Sequence, residues 1–193
     1  MIEKLLQYET ELFLFLNNLG SSTWDNFWLI ITNKWYFGSF LGLVLLYLFY
    51  KKFGWKTVLF LMLIVALMIT FTDQMTNFFK RSYARPRPCG EAGLIDYIRF
   101  IAVRCGKYGF FSGHASNSMA VAIFGGLLLR PYYKKLIYFL IFISLVVAYS
   151  RIYIGVHYPI DIVCGLIFGA ISGFVFYSLT RYFLKSKFLR FQS

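Results

Sequence analysis

The feature that most constrains this sequence is a series of long apolar runs separated by short polar or basic turns. Of the 193 residues, 59% are hydrophobic and only 15% are charged, whereas soluble domains carry about 25% charged residues. A soluble core could not bury so much phenylalanine and leucine without exposing part of it. Several runs approach the roughly 20 residues that cross a bilayer. We therefore predict one all-α domain over residues 1–193, a polytopic transmembrane helix bundle.

The apolar runs predict about five spans behind an N-terminal amphipathic helix. Acidic residues recur among leucine and aromatic side chains at the start of the chain, so we expect residues 1–23 to form an amphipathic segment at the membrane interface. Asn33 and Lys34 interrupt the first span, which could instead begin near Trp35. A polar loop, 80–111, follows the second span. The five predicted spans cover residues 28–50, 57–79, 113–129, 136–149 and 158–182.

The net charge of +12 favours contact with anionic lipid headgroups over nucleic acid, because no basic stripe lies on a soluble, polar element. The alternation of the spans puts their polar ends on one side of the membrane. Lys80, Arg87 and Arg151 lie on that side, but we assign them to anion binding. The remaining basic residues then favour a cytoplasmic location for the opposite side, so the polar ends face the periplasm or the exterior. The predicted basic tail after the last span contains Lys185, Lys187 and Arg190.

Two of the three cysteines lie in the polar loop. Cys89 and Cys105 would face an oxidising compartment, so we expect a disulfide that closes the loop, with two free thiols as the alternative. No histidine or acid pair with ligand spacing lies beside them, so no metal site is predicted. Cys164 lies in an apolar span and is expected to pack there.

Three polar blocks are predicted to meet on the same side of the membrane. Together they carry what a phosphate group needs, namely fixed positive charge and N–H donors. Lys80, Arg87 and Arg151 supply the charge, and arginine adds forked hydrogen bonds. Ser112 and Gly113 open a helix whose free backbone N–H groups and dipole favour an anion. The blocks are 80–88 (KRSYARPRP), 111–114 (FSGH) and 150–161 (SRIYIGVHYPID).

The third block also predicts a nucleophile. Pro159 fits the first turn of a helix, which places Asp161 one turn from His157 on the same face. Asp161 can then accept the Nδ1 proton and leave the Nε2 lone pair of His157 for attack on phosphorus. His114 would protonate the leaving oxygen and then activate water. Alone, each residue has an ordinary structural explanation as a packing histidine, an interfacial arginine or a local helix pair; the combination favours catalysis.

Taken together, the blocks resemble the three-part signature of the type 2 phosphatidic acid phosphatase superfamily. The resemblance covers residues 80–161 in motif and nearly the whole chain in helical layout. It implies a metal-independent lipid phosphatase, with no cofactor, that works through a phosphohistidine. His157 would be the nucleophile, Asp161 its partner and His114 the acid and base. Phe111 departs from the family pattern, which usually has proline there. The implied phosphate cradle consists of Lys80, Arg87, Ser112, Gly113 and Arg151.

The resemblance also implies partners and a location. A small bacterial member would lie in the inner (plasma) membrane and take a membrane lipid phosphate from the bilayer, with no nucleic acid partner. We expect undecaprenyl diphosphate as the leading substrate; the alternatives are lipid A phosphates and phosphatidylglycerol phosphate or phosphatidic acid. An alternative of another class is a non-catalytic phospholipid-binding or transport protein on the same scaffold. A soluble vanadate-dependent haloperoxidase shares the cradle but does not fit the nearly continuous spans.

Some polar residues outside the signature keep two interpretations. Asp73 could pair with a cation of the site or make a hydrogen bond between helices. Arg85 and Arg99 could attract an anionic headgroup or serve as loop and interface charges. Tyr153 and Tyr158 could border the cleft, although tyrosine at the membrane interface is the default.

Overall fold

The computed structural model describes residues 2–190, with side chains described over 3–184. The side chains of the predicted basic tail, Lys185, Lys187 and Arg190, lie outside the described residues. A π-helical turn, Lys34–Gly38, precedes the third helix, and two short 3₁₀ helices lie in the long loop at Pro88–Gly90 and Ile95–Tyr97. The six α-helices are α1 Ile2–Asn18, α2 Ser22–Thr32, α3 Ser39–Tyr83, α4 Gly113–Leu129, α5 Leu136–Tyr153 and α6 Pro159–Arg190.

The predicted all-α fold is confirmed. Residues 2–190 contain no β-strand; they contain one isolated antiparallel bridge, between Pro86 and Tyr108. Three helical segments are long and apolar enough to cross a membrane, and α4 is a shorter apolar helix. Helix α4 lies at the centre, packed against α3, α5 and α6. The candidate spans are 34–83, 136–153 and 159–184.

Helix α3 contains the second predicted span and most of the first. At about 1.5 Å per residue, the 45 residues of α3 would be about twice as long as a hydrocarbon core of roughly 30 Å. Gly54 breaks the helix with φ +71° and ψ 169°, a conformation that suits glycine. The two arms, 39–53 and 55–83, contribute to the same core cluster, which includes Phe49 and Leu61. The predicted turn at 51–56 is therefore present as a break inside α3.

The structure decides between the two predicted starts of the first span, and it shows that the predicted start of the loop is wrong. The first span does not begin at Trp28, because α2 ends at Thr32 and the chain turns at Asn33. The alternative start near Trp35 is confirmed, since the candidate span begins at Lys34. The Asn33 side chain accepts hydrogen bonds from the N–H groups of the next two residues and starts a new helical segment there. The loop predicted to begin at residue 80 begins at Ala84, whose left-handed φ of 46° ends α3. Lys80 therefore lies on a helix.

Close helix contact places α4 directly against α6. Gly165, Gly169 and Gly173 recur at four-residue spacing along one face of α6. A Cβ at Gly169 would lie 2.2 Å from the carbonyl oxygen of Ser116. Small residues let two helix backbones approach in this way in membrane proteins. The start of α6 is consequently held against the start of α4.

Helix α1 docks onto the bundle and does not lie free of it. The side chains of Phe13 and Asn17 are fully buried. Asn17 Nδ2 donates to the carbonyl oxygens of Ile152 and Tyr153 at 2.9 Å each, and Asn17 Oδ1 accepts from the N–H of Arg99. A fully bonded buried amide fixes α1 to the end of α5. The N-terminal segment therefore lies over the end of the bundle at which the polar blocks meet.

Candidate active site

The three polar blocks meet at one end of the bundle, where α3 and α5 end and α4 and α6 begin. The N–H of Ser112 donates to the carbonyl oxygen of Asp161 at 3.0 Å, which joins the second block to the third. Lys80, at the end of α3, lies within electrostatic range of Arg87, Arg151 and Asp161. The structure thus brings the predicted site residues of all three blocks to one place.

His157 and Asp161 form the predicted pair. His157 lies in the short connection between α5 and α6, and its Nδ1 is 3.2 Å from Asp161 Oδ2. The same carboxylate oxygen accepts the backbone N–H of Tyr158 at 3.2 Å. The side chains of His157 and Asp161 are 2% and 0% exposed. The pair uses Nδ1 and leaves Nε2 of the imidazole available.

The surroundings of His157 favour its neutral form. Burial, together with the positive charges of Arg87, Arg151 and Lys80, holds the pKa of His157 well below its usual range. A neutral imidazole keeps the lone pair that nucleophilic attack requires. The cations that would bind a phosphate therefore also keep the histidine unprotonated.

The backbone before His157 turns tightly to reach this position. Gly155 has φ +82°, and a Cβ there would lie 2.9 Å from the carbonyl oxygen of Arg99. Only glycine fits both the left-handed conformation and the close approach of the long loop. The turn delivers His157 to the buried end of the bundle.

The long loop holds Arg87 in place. Arg87 Nε donates to the carbonyl oxygen of Tyr108 at 2.9 Å, and a Cβ at Gly106 would lie 3.0 Å from the guanidinium carbon. Cys89 and Cys105 are joined by a disulfide in the structure, with Cα atoms 5.9 Å apart. The disulfide closes the loop beside Arg87 and restricts where its side chain can lie.

Two buried polar atoms of the predicted cradle have no hydrogen-bond partner among the described residues. They are Ser112 Oγ and Arg151 Nε. Arg151 Nη1 donates to Thr32 Oγ1 at the end of α2, and Ser112 precedes the free N–H groups of the first turn of α4. Buried polar atoms are nearly always paired, so an unpaired hydroxyl and an unpaired guanidinium N–H among the buried residues of the predicted cradle suit an anion.

An apolar cavity of about 530 Å³ opens beside His114. It lies between α3 on one side and α4 and α5 on the other, and Asn117 lies at the same end as His114. Asn117 Nδ2 donates to Asp73 Oδ1 at 2.8 Å. Of the two interpretations of Asp73, the structure therefore shows the hydrogen bond between helices. The cavity is lined mainly by aliphatic and aromatic side chains, including Leu41, Leu45, Phe49, Val65, Val121 and Ile143.

Sequence reasoning missed several side-chain contacts at the site, including those of Arg85 and Tyr158, for which it left two interpretations open. Glu9 of α1 and Arg85 of the loop form an ion pair at 2.6 Å, and Arg85 also bonds to Asp161. Thr32 binds Arg151. The hydroxyl of Tyr158 donates to Glu91. No local pattern marks these residues because their partners lie far away in the chain.

Comparison with known proteins decides the family. A protein-family model described as the PAP2 superfamily matches residues 55–185, which include all the predicted site residues. The chain belongs to the PAP2 superfamily. It is accordingly a PAP2 lipid phosphatase with a transmembrane helical fold. The resemblance seen in the sequence is confirmed.

Two curated PAP2 relatives match almost the whole chain. Each is 38% identical over 184 residues, or 94% of this chain, and each is named lipid A 4'-phosphatase. They come from Porphyromonas gingivalis and Bacteroides thetaiotaomicron, and the match covers 76% and 80% of their lengths. A weaker match, 28% identical over 95 residues, is to undecaprenyl-diphosphatase BcrC of Bacillus subtilis and covers 49% of this chain and 45% of that protein.

A solved structure shares the PAP2 fold. The crystal structure of Aquifex aeolicus LpxE superposes with a TM-score of 0.68 and 23% identity, covering 87% of this chain and 93% of that one. At this level of identity the likeness concerns the arrangement of the helices.

Proposed function

We propose that this protein hydrolyses a phosphate monoester of lipid A and releases inorganic phosphate, through a phosphohistidine formed at His157. The observation that carries the choice of substrate is the match to two lipid A 4'-phosphatases over 94% of the chain. The expectation from the sequence resemblance puts undecaprenyl diphosphate first. The match to an undecaprenyl-diphosphatase covers about half of the chain at lower identity, so the relatives favour the lipid A alternative.

The chemistry begins with the phosphate in the cradle. Its oxygens accept hydrogen bonds from Ser112 Oγ, Arg151 Nε and the N–H groups that open α4. Lys80 and Arg87 balance its charge. Each preorganised donor of this kind contributes about 2.7–4 kcal/mol to transition-state stabilisation in other enzymes.

Attack then runs in line from His157. His114 takes up a proton when the phosphate dianion binds beside it. Nε2 forms a bond to phosphorus while the bond from phosphorus to the lipid oxygen breaks, and His114 donates its proton to that oxygen. Asp161 accepts the Nδ1 proton in a hydrogen bond and stabilises the positive charge on the phosphorylated imidazole. His114 next takes a proton from water, the hydroxide displaces Nε2, and inorganic phosphate and neutral His157 are released.

The cavity beside His114 would receive a hydrocarbon chain of the substrate. A lipid chain gains little by moving from a bilayer into an apolar cavity, because both surroundings are equally apolar. The role of the cavity is therefore geometric. It gives a chain room next to the reacting phosphate while the phosphate lies in the polar cradle.

We also propose that the site faces the periplasm or exterior from the inner (plasma) membrane. The break at Gly54 and the turn between α4 and α5 lie at the end of the bundle opposite the site. These two turns meet, since Lys52 Nζ lies 5.1 Å from the ring centroid of Tyr132. They are rich in lysine, which favours the cytoplasmic side.

Phosphate release tests the function directly. The purified protein in detergent would be assayed with lipid A carrying its phosphates, undecaprenyl diphosphate, phosphatidylglycerol phosphate and phosphatidic acid, with and without EDTA. We expect the highest kcat/KM with lipid A, no effect of EDTA, and a phosphorylated histidine after acid-free quenching. His157→Ala should abolish release, and Glu11→Gln, on the exposed side of α1, should not.

Two results would contradict the proposal in different ways. A higher kcat/KM with undecaprenyl diphosphate would overturn the choice of substrate and leave the mechanism standing. Loss of activity in EDTA, or full activity in His157→Ala, would overturn the mechanism.

A further inference from the structure

Helix α1 brings an acidic side chain to the site from outside the segment that matches the family model. Glu9 is 9% exposed, and its Oε2 lies 2.6 Å from Arg85 Nη2. Glu9 Oε1 lies 3.4 Å from Arg85 Nη1 and also accepts the backbone N–H of Ile160 at 3.0 Å. The carboxylate therefore joins Arg85 to the first turn of α6, where the helix dipole favours a negative charge.

The guanidinium of Arg85 also reaches the carboxylate of Asp161, through the nitrogen Nη1 that it shares with Glu9. Nη1 donates to Asp161 Oδ1 at 3.1 Å, and the guanidinium carbon lies 4.4 Å from the ring centroid of Tyr158. Asp161 Oδ2 faces His157 Nδ1. The two oxygens of Asp161 are thus divided, one toward the histidine and one toward Arg85.

Asp161 needs such a partner because it is fully buried. An ionised carboxylate is costly to bury unless it is paired and hydrogen-bonded. Removing one partner of a buried ion pair leaves an uncompensated charge. Arg85 supplies the fixed positive charge, and its direction decides where the carboxylate points.

Glu9 decides where Arg85 points. A loop arginine beside a phosphate cradle would otherwise be free to turn toward the anion, as Arg87 and Arg151 do in the proposed mechanism. Glu9 accepts hydrogen bonds from both terminal nitrogens of Arg85. A carboxylate that engages the guanidinium fork fixes its plane as well as its position.

We infer that Glu9 and Arg85 are positioning residues for the histidine, acting in the order Glu9, Arg85, Asp161, His157. Neither residue touches the substrate; the chain of contacts holds the imidazole with Nε2 directed at phosphorus. Helix α1 in this way contributes one positioning residue, Glu9, to the site. The inference rests on the role of His157 as nucleophile given under the proposed function.

Kinetics of paired variants test the inference. Glu9→Gln keeps the size of the side chain and removes its charge, and Arg85→Gln breaks both contacts. We expect kcat to fall about tenfold or more in each, with KM changed by less than about twofold, because positioning acts on the chemical step. The double variant should lose no more than the worse single variant, since the two residues act as one unit. Glu9→Asp should recover part of the loss.

Matched variants separate positioning from folding. Asp25→Asn breaks the ion pair between Asp25 and Arg99, which has a length of 2.9 Å and is also partly exposed, but it does not touch Asp161. It should lower the melting temperature and leave kcat unchanged. Glu11→Gln, two residues after Glu9 on the same helix, should change neither.

The substrates are chosen so that the two proposals can fail separately. Each variant would be assayed with lipid A and with p-nitrophenyl phosphate, a soluble phosphate monoester. If the wild type acts on p-nitrophenyl phosphate and not on lipid A, the choice of substrate fails while the kinetic comparison still stands. If Glu9→Gln lowers only the melting temperature, as Asp25→Asn does, or if it raises KM at constant kcat, the positioning role is overturned.

Discussion

The unpaired hydroxyl of Ser112 leads to a prediction in which stability and activity change in opposite directions. Ser112 is fully buried and its Oγ has no partner within the described part of the chain. It is also the residue before the first turn of α4, yet its side chain makes no capping hydrogen bond. We predict that Ser112→Ala makes the empty enzyme more stable and less active.

Two effects on stability compete, and the geometry decides between them. Loss of a serine helix cap costs about 0.5–2 kcal/mol when the cap bond is present. An unsatisfied buried hydroxyl costs about 1–3 kcal/mol. Because the cap hydrogen bond is missing here, its loss costs nothing, and removal of the unpaired hydroxyl should raise the free energy of unfolding. A gain of about 1 kcal/mol corresponds to a rise in Tm of about 2–4 °C for a chain of this size.

Activity should fall because the same hydroxyl donates a hydrogen bond to the bound phosphate in the proposed mechanism. A hydrogen bond to a charged group contributes about 1.5–3 kcal/mol. Its loss corresponds to a decrease in kcat/KM of roughly 10- to 150-fold. The assay combines thermal unfolding in detergent with phosphate release. Added orthophosphate should raise the Tm of the wild type more than that of Ser112→Ala, because a ligand stabilises the form that binds it better.

Ser116 provides the control. Its Oγ is also buried and unpaired, but it lies one turn further along α4. Ser116→Ala should raise Tm by a similar amount and retain activity. The reasoning is refuted if Ser112→Ala lowers Tm while activity persists, or if both variants lose activity equally.

Three further changes test other parts of the site. Arg87→Gln removes a positive charge that adds to burial in lowering the pKa of His157. That pKa should rise, so the acid limb of kcat/KM against pH should move to higher pH. Reduction of the disulfide between Cys89 and Cys105, 16 residues apart in sequence, should lower the free energy of unfolding by about 3 kcal/mol through loop entropy. It should also raise KM. Unfolding and kinetics with and without reductant measure the two effects. Gly42→Phe should narrow the cavity, because Gly42 lines it and a Cβ there meets no atom within 4 Å. It should raise the barrier to lipid hydrolysis by about 1–3 kcal/mol, the size of a steric misfit in a hydrophobic substrate pocket, and leave hydrolysis of p-nitrophenyl phosphate unchanged.

Each of these has its own contrary outcome. An acid limb that stays in place or moves to lower pH in Arg87→Gln would mean that Arg87 does not tune His157. Unchanged KM after reduction would show that the loop holds Arg87 without the disulfide. Leu43→Phe, on the exposed side of the same helix arm, is the control for Gly42→Phe, and equal losses in both would argue against the cavity as a chain site.

The motifs of the candidate site could be predicted from the sequence because each one is local. The four-residue spacing of His157 and Asp161 fixes their contact once Pro159 starts a helix, and Ser112 and Gly113 mark the start of α4. The lengths of the apolar runs likewise predicted the central parts of the membrane-spanning helices. These are properties of one turn or one span, and the surrounding fold does little to change them.

Contacts between residues far apart in the chain could not be predicted from the sequence. Glu9 and Arg85 are 76 residues apart, and nothing near either residue indicates the other. Two helix boundaries were hard to place for a related reason. Asn33 acts as a cap and not as an interruption within a span, and α3 continues past Phe79 until Ala84 adopts a left-handed conformation.

The charges of the site bear on how it binds phosphate. Among the described side chains around the cradle, four cations are shielded from full solvent exposure, namely Lys80, Arg85, Arg87 and Arg151. Two carboxylates, Glu9 and Asp161, are shielded likewise. With His157 neutral, these groups leave an excess of two positive charges, and the protonated His114 of the proposed mechanism adds a third. A phosphate group carries about −1.5 to −2 near neutral pH, so the excess is large enough to neutralise it in a partly buried site, where unpaired charge is costly. The charge balance therefore accounts for phosphate binding, and the preference for lipid A proposed here rests on the relatives.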